Sequence, residues 1–211
     1  LMRFDLFWVL MGRTAYVFAP LYLIPFAYGM IVGDASTGFF LVLSVLTFIL
    51  GMVFGNMGRS HMRQLSVQEG TLFLLVMWFF LALLGMLPFH LAGLHLSPIN
   101  TFFECISALT TTGLTALPED LPPALLLWRG LMSWFGGLLF VVILVTVQPV
   151  VSGCFGVDFS VRQERLFSPL WNRMTRPMHE MTLLYIAITI AAALLYLAAG
   201  DPVFSARLLA P

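Results

Sequence analysis

The sequence NTFFECISALTTTGLTAL, residues Asn100–Leu117, decides the fold, because it places a run of threonines and one glycine between two long apolar segments. The surrounding region, His90–Pro123, contains no continuous apolar run long enough to cross a bilayer. A polar, glycine-containing segment in this position predicts a loop that dips into the membrane and returns to the side from which it entered. The fold then follows from the apolar segments on either side.

Composition places the chain among proteins that cross the bilayer several times. Hydrophobic residues make up 60% of the sequence and charged residues 9%, and a run of roughly 20 apolar residues spans the hydrocarbon core. The net charge is zero and lysine is absent, so no basic surface indicates a nucleic-acid partner. Five spans are predicted: Phe4–Val32, Gly38–Phe54, Gly70–Phe89, Ala124–Gln148 and Met178–Ala199.

The distribution of arginine predicts a cytoplasmic N-terminus, because short cytoplasmic loops accumulate arginine and lysine. In this orientation the outer loops carry Arg207, and the region around the polar stretch faces outward with Glu104, Glu119 and Asp120. A cation that approaches this region from outside meets negative charge. The cytoplasmic side collects Arg3, Arg59, Arg63, Arg162, Arg165, Arg173 and Arg176.

Local signals within the polar stretch predict a short helix followed by an irregular turn. Ser97 or Asn100 can cap the helix, Glu104 is favourable in its first turns, and Thr101–Leu109 forms its body. The helix would direct the negative end of its dipole, and the non-helical backbone of Thr110–Gly113, into the membrane. A ring of such carbonyl oxygens can replace the hydration shell of a monovalent cation. The stretch therefore predicts an ion filter, and a plain Thr-Gly turn in an outer loop is the alternative.

Several short motifs surround this turn in a fixed order. They are Gln68-Glu69-Gly70, Leu87-Pro88-Phe89, Phe102-Phe103-Glu104, Thr110-Thr111-Thr112-Gly113-Leu114-Thr115, Trp128-Arg129-Gly130, Trp134-Phe135-Gly136-Gly137 and Gln148-Pro149. In this order and spacing the chain resembles the Trk/Ktr/HKT superfamily of potassium transporters, and in particular its membrane subunits of the TrkH or TrkG type. The two spans before the motifs fit the extra N-terminal helix pair of that type.

The resemblance implies an all-α integral membrane fold in which four helix–pore loop–helix repeats surround one pore. Only the first repeat is expected to be complete here, so the chain is expected to be an N-terminal fragment of a protein of roughly twice its length. The implied divisions are 1–55, an N-terminal helix pair; 56–69, a cytoplasmic linker; 70–148, the first repeat with pore helix and filter at 98–115; 149–177, a cytoplasmic amphipathic linker; and 178–211, the truncated first helix of a second repeat.

The resemblance also implies site residues and a function. Thr111, Thr112 and Gly113 would donate carbonyl oxygens to K⁺, with Thr110 at the inner end of the filter. Glu104 and Arg129 would support it, since Arg129 lies near the outer end of its span and can pair with Glu104 or Glu119. The chain departs from the family at Ser107-Ala108-Leu109, where Ser-Gly-Phe is usual, and this change is expected to affect packing more than ion coordination.

The implied setting is a bacterial inner membrane, with potassium uptake as the activity and no resident cofactor. The expected partners are the lipid bilayer, a second copy of the full-length protein, and a cytosolic nucleotide-binding subunit of the TrkA type. The arginine- and phenylalanine-rich segment 150–177 either lies on anionic headgroups or touches that subunit. This chain has no nucleotide-binding motif, so any nucleotide sensing would belong to the partner.

Two other classes of function are weighed against transport. A membrane enzyme would require paired carboxylates, a nucleophile–base set or clustered metal ligands; the sequence contains no such constellation, its nearest case being Glu104 with His90 and His95, so no enzymatic activity is expected. A non-transporting scaffold or a degenerate remnant is the second class, because one repeat cannot close a pore. The tryptophans near the predicted span ends, Trp128 among them, are interpreted as an interfacial belt, and Cys105 as a buried thiol.

Overall fold

The structure is a computed structural model that describes residues 4–33, 37–57, 67–93, 96–118, 121–154 and 170–198. All regular secondary structure in these ranges is helical, which confirms the predicted all-α class. The chain separates into two units, Leu1–Gly136 and Gly137–Pro211. In chain order the helices are α1, Phe4–Phe18; a 3-10 turn, Ala19–Tyr22; α2, Leu23–Val32; α3, Gly38–Met57; α4, Val67–Leu91; α5, Pro98–Leu109; α6, Pro123–Cys154; and α7, Leu170–Ala198.

Among the residues that the structure describes, four helical segments are long and apolar enough to cross a membrane, and they correspond to the first four predicted spans. The fifth predicted span lies in α7, whose apolar part within the described residues, His179–Leu195, is shorter than the other four. Its helical character is confirmed, but spanning length is not reached there. The four segments are Phe7–Val32, Gly38–Met57, Leu72–Leu91 and Pro123–Ile143.

The first span is interrupted, whereas a single helix was predicted for Phe4–Val32. A 3-10 turn at Ala19–Tyr22 separates α1 from α2, with a proline among its first residues. Pro20 has no backbone N–H and its ring crowds the preceding turn, so it favours a local change in helical hydrogen bonding. The turn buries Tyr22, which places its side chain within the first unit.

α1 and α3 cross at unusually close range because glycines occupy the contact on both helices. A Cβ atom on Gly12 would lie 2.7 Å from the backbone nitrogen of Gly55 and 2.8 Å from the carbonyl oxygen of Gly51. Small residues four apart allow helix backbones to approach in lipid, where packing drives association. Further along α3, the buried Ser44 hydroxyl donates to the Ala19 carbonyl at 2.9 Å, so the predicted N-terminal helix pair forms a packed hairpin.

Several predicted boundaries fall at or beyond the described ranges. The helices extend into the predicted linker 56–69, since α3 ends at Met57 and α4 begins at Val67, and residues 58–66 lie outside the described residues. For the predicted linker 149–177, α6 continues to Cys154 and α7 begins at Leu170. Residues 155–169 between them, and the end of the chain from 199 to 211, also lie outside the described residues.

Candidate functional site

The candidate site is built on α5, a 12-residue helix that follows α4 and precedes α6 in the chain. It begins at Pro98, the predicted start of the pore helix, because proline at the first helical position supplies the required φ and its missing N–H is not needed there. Ser97 stands at the N-cap position in an extended conformation, but its side chain makes no capping hydrogen bond, and Asn100 lies inside the helix. The predicted side-chain cap is therefore wrong. The Ser97 carbonyl accepts the Thr101 N–H at 3.0 Å.

Glu104 is almost completely buried, with 1% of its surface exposed. It lies in the second turn of α5, and no acidic residue lies in the first turn of this helix. Its Oε2 accepts the backbone N–H of Ala116 at 2.9 Å, and its Oε1 pairs with the Nε of Arg129 on α6. Of the two partners predicted for Arg129, Glu104 is the one found, and Glu119 lies outside the described residues. The ion pair compensates a buried charge that would be costly alone.

The chain leaves α5 through a tight turn at Thr110–Gly113. The N–H groups of Thr112 and Gly113 lie 2.9 and 3.5 Å from one acceptor, the Ser107 carbonyl oxygen. Thr111 and Gly113 both have positive φ, 56° and 77°, a conformation that glycine adopts readily and threonine rarely. Since the N–H and C=O of a trans peptide point in opposite directions, the carbonyl oxygens of Thr111 and Thr112 point away from Ser107, on one side of the turn.

The threonine hydroxyls hold the turn together. Thr110 Oγ1 lies 2.8 Å from the Ile106 carbonyl oxygen, to which it donates, and 2.7 Å from Thr112 Oγ1. Because Thr110 uses its proton on the carbonyl, Thr112 is the donor between the two hydroxyls. The side chains at 110 and 112 therefore serve the turn itself, and the exposed backbone carbonyls are left as the available oxygens.

The far end of the loop is turned back toward α5. The Ser107 hydroxyl donates to the Leu114 carbonyl oxygen at 2.6 Å, so this carbonyl faces the helix and is occupied. Residues 110–116 are otherwise exposed in this chain. The Leu114 carbonyl is therefore not open, and the loop is held at this end by the Ser107 hydroxyl and by the Glu104 carboxylate, which accepts the Ala116 N–H.

α6 packs directly against the start of the loop. A Cβ atom on Gly136 would overlap the carbonyl group of Leu109, the last residue of α5. Only glycine permits this approach, which explains the glycine in the Trp134–Gly137 motif. Ala108 and Leu109, where the sequence departs from the family pattern, are both buried, so the departure lies in the packing of α5.

Trp128 corrects a prediction, because it is fully buried rather than part of an interfacial belt. Its ring stacks on that of Tyr22 with centroids 4.5 Å apart and planes 15° apart, and its Nε1–H donates to the Gly85 carbonyl oxygen at 2.9 Å. Sequence reasoning missed Tyr22 altogether. The available signal was Pro88, which removes a backbone donor from α4 and so calls for an outside donor nearby.

The remaining predicted polar residues have structural contacts. The Nε2 of His90 lies 3.0 Å from the hydroxyl of the buried Thr101, and His95 is outside the described residues. Cys105 is a buried free thiol. Within the part of the chain that the structure describes, no three His, Cys, Asp or Glu side chains form a group that could hold a metal ion.

Together these features define a class of protein: an all-helical membrane protein that holds a short helix and an open-carbonyl loop between two spanning helices. A sequence model of the family described as "TrkH: Cation transport protein" matches residues 39–206. The match covers most of the chain, and the chain belongs to the TrkH family.

Individual relatives agree with this assignment. The Trk system potassium uptake protein TrkH of Escherichia coli K12 is 30% identical over 209 residues, which cover 93% of this chain and 42% of the relative. The protein of the same name from Salmonella typhimurium is 29% identical over 205 residues. The crystal structure of the potassium transporter TrkH from Vibrio parahaemolyticus superposes with a TM-score of 0.82 at 27% identity, covering 98% of this chain and 42% of that one. The chain thus spans 42% of the length of these relatives.

Proposed function

We propose that this chain forms part of the pore of a Trk-type potassium uptake system and carries the first of four selectivity-filter segments, Thr110–Gly113. The observation that carries the proposal is the pair of N–H groups, of Thr112 and Gly113, directed at the single carbonyl of Ser107. Because these N–H groups point at Ser107, the carbonyls of Thr111 and Thr112 point to the exposed side. There their oxygens can replace the water molecules that a cation loses when it enters a filter.

The electrostatics of the loop favour a monovalent cation held by carbonyl dipoles. α5 ends at Leu109, so the negative end of its dipole lies beside Thr110. The nearest carboxylate, Glu104, is buried and paired with Arg129, and its charge is balanced locally. Selectivity for K⁺ over Na⁺ would then depend on the number and field of the carbonyl oxygens.

The proposed architecture follows the family. Residues 70–148 form the first helix–pore loop–helix repeat, with pore helix and filter at 98–115, and residues 178–211 begin a second. Residues 1–55 form the preceding helix pair, and 56–69 and 149–177 are cytoplasmic linkers. Four repeats surround the pore in the full-length protein.

The proposed setting is a bacterial inner membrane with the N-terminus in the cytoplasm, because arginines concentrate in the loops that this orientation places inside. The full-length protein would be a homodimer that binds a cytosolic nucleotide-binding subunit of the TrkA type. Segment 150–177, with its arginines and aromatic residues, is proposed to lie on anionic headgroups, with contact to that subunit as the alternative.

Substitution of Gly113 tests the function directly. In the full-length protein, Gly113→Ser should lower uptake of K⁺ relative to Na⁺ by roughly tenfold, because a side chain at positive φ shifts the carbonyls of the turn. The readouts are growth of a potassium-uptake-deficient bacterium at limiting K⁺ and ion fluxes in vesicles.

Gly93→Ser is the matched control. Gly93 also has positive φ, 73°, and a Cβ atom at either glycine would meet no atom within 4 Å, so the two substitutions impose similar local strain. Equal selectivity in both variants would remove the filter assignment. A full-length protein that reaches the membrane and never supports growth at limiting K⁺ would remove the transport function.

A further inference from the structure

We infer that Tyr22, a residue of the N-terminal helix pair, is a positioning residue for ion selection: its hydroxyl holds α4, its ring stacks on α6, and through these two helices it positions the loop Thr110–Ala116. The inference rests on the proposed transport function. It assigns the first helix pair a role in selectivity although none of its residues reaches the loop through a contact described above.

One backbone carbonyl in α4, that of Leu84, lacks its helical donor. In an α-helix the N–H of residue 88 would bond to the carbonyl of residue 84, but Pro88 has no N–H. The Tyr22 hydroxyl donates to this Leu84 carbonyl oxygen at 2.8 Å, and the contact is buried. A buried carbonyl without a donor is destabilising, so Tyr22 completes the hydrogen bonding of a helix 62 residues further along the chain.

Two more helices, α3 and α6, contact the Tyr22 side chain. The buried Thr47 on α3 hydrogen bonds to the Tyr22 side chain. Trp128 on α6 stacks on the Tyr22 ring and donates to the carbonyl of Gly85, the residue after Leu84. The 3-10 turn, α3, α4 and α6 therefore meet around one tyrosine, and both Tyr22 and Trp128 have no exposed surface.

A series of contacts leads from Trp128 to the loop. The next residue on α6 is Arg129, which pairs with Glu104, and Glu104 accepts the N–H of Ala116 at the end of the loop. A Cβ atom on Gly85 would meet the Met132 side chain at 2.6 Å and the Cys105 sulfur at 3.6 Å. α4, α5 and α6 are thus in contact at the level of Tyr22, and a shift of α6 there moves the guanidinium that holds Glu104.

The test is Tyr22→Phe in the full-length protein, with relative K⁺ and Na⁺ uptake as the readout. The substitution keeps the aromatic ring that stacks on Trp128 and removes the hydroxyl, and with it the donor to Leu84 and the partner of Thr47. We expect normal amounts of protein in the membrane and a decrease in K⁺ over Na⁺ selectivity of roughly threefold, the size found when a residue acts through packed neighbours. The matched control is Tyr16→Phe on α1, whose ring packs against Phe48, with selectivity unchanged.

Pro88→Ala supplies the rescue. Alanine at position 88 restores an N–H that can donate to the Leu84 carbonyl, so the double variant Tyr22→Phe/Pro88→Ala should regain wild-type selectivity. If Tyr22→Phe alone fails to accumulate in the membrane, the double variant decides. Accumulation with wild-type selectivity supports the inference, and failure to accumulate or continued loss of selectivity overturns it.

The outcomes separate this inference from the proposed function. A selective unmodified protein with an equally selective Tyr22→Phe variant would overturn the role of Tyr22 and leave the filter assignment intact. An unmodified protein that reaches the membrane without transporting K⁺ would overturn both.

Discussion

Among the described residues, α4 and the turn after α5 both free backbone carbonyls from regular helical hydrogen bonding, and they treat those carbonyls in opposite ways. In α4, Pro88 leaves the Leu84 carbonyl without a helical donor, and the Tyr22 hydroxyl fills the position in a fully buried site. In the turn at Thr110–Gly113, the carbonyls of Thr111 and Thr112 face away from the protein donors and remain exposed.

The difference separates a structural carbonyl from an available one. At α4 the surrounding side chains provide donors, so the break adds rigidity between helices. At the turn these donors point to the opposite side: the N–H groups of Thr112 and Gly113 go to Ser107 and the hydroxyl of Thr110 goes to Ile106. A cation site built from backbone requires exposed carbonyl oxygens and a backbone held in place by hydrogen bonds on its opposite side. The turn at Thr110–Gly113 has both features.

The largest effect is expected from Gly136→Ala, which would break the fixed side of the turn. The added Cβ would overlap the Leu109 carbonyl group, so α6 must move away from α5 at a cost of about 3 kcal/mol. Thermal unfolding of the detergent-solubilised protein measures this loss. Gly130→Ala on the same helix, where a Cβ meets no atom within 4 Å, should be neutral or slightly stabilising; equal losses would contradict the contact.

The next effect concerns the buried ion pair behind the loop. Arg129→Gln should cost about 2 kcal/mol and exceed the cost of Glu104→Gln, because a lone buried carboxylate is harder to accommodate than a lone guanidinium that reaches water. The side chain of Glu104 is 1% exposed and that of Arg129 is 31% exposed. Both variants and the double variant are compared by thermal unfolding. The reverse order would show that the pair does not hold the loop as described.

A smaller effect would sharpen the comparison by opening the carbonyl of Leu114. Ser107→Ala removes the donor to the Leu114 carbonyl oxygen and should cost about 1 kcal/mol, since Leu114 is exposed and water can partly replace the hydroxyl. Relative K⁺ and Na⁺ uptake should also change, because an additional oxygen becomes available. Thr115→Ala, which loses only a 3.3 Å contact with the Leu117 N–H, is the comparison and should leave both quantities nearly unchanged.

The smallest effect is expected at Thr111, and its sign is favourable. Thr111 has φ of 56°, which is strained for a β-branched residue. Thr111→Gly should therefore raise the free energy of unfolding by about 0.5 kcal/mol, after the greater chain entropy of glycine is subtracted, while selectivity decreases because the turn is less rigid. A loss of stability in this variant would indicate that the left-handed conformation carries no strain.

The sequence was sufficient to predict the short helix and its turn because the relevant signals are local. Pro98 starts α5, Gly113 adopts a positive φ, and the threonines between them bond within a few residues. The apolar runs likewise predicted five spanning segments, of which four reach spanning length within the described residues, although the 3-10 turn at Ala19–Tyr22 was not expected.

The contacts behind the site could not be predicted, because they join distant residues. An amphipathic aromatic residue near a span end can lie at the membrane interface or in a buried position with a hydrogen-bond partner. Trp128 lies in a buried position of this kind. Pro88 indicated a carbonyl in need of a donor, but the identity of that donor depends on which helix packs there. In the same way, Arg129 had two candidate carboxylates in the sequence, and only the fold brings Glu104 to it.

The glycine crossing of α1 and α3 has a consequence for the order of assembly. Gly12, Gly51 and Gly55 all lie within the first 57 residues, so the hairpin has its own close contacts before α4 is synthesised. Helices that are stable individually in lipid can associate afterwards as preformed pieces. The hairpin can then act as a template during biogenesis, with the Tyr22 hydroxyl already in place when the carbonyl of Leu84 enters the bilayer.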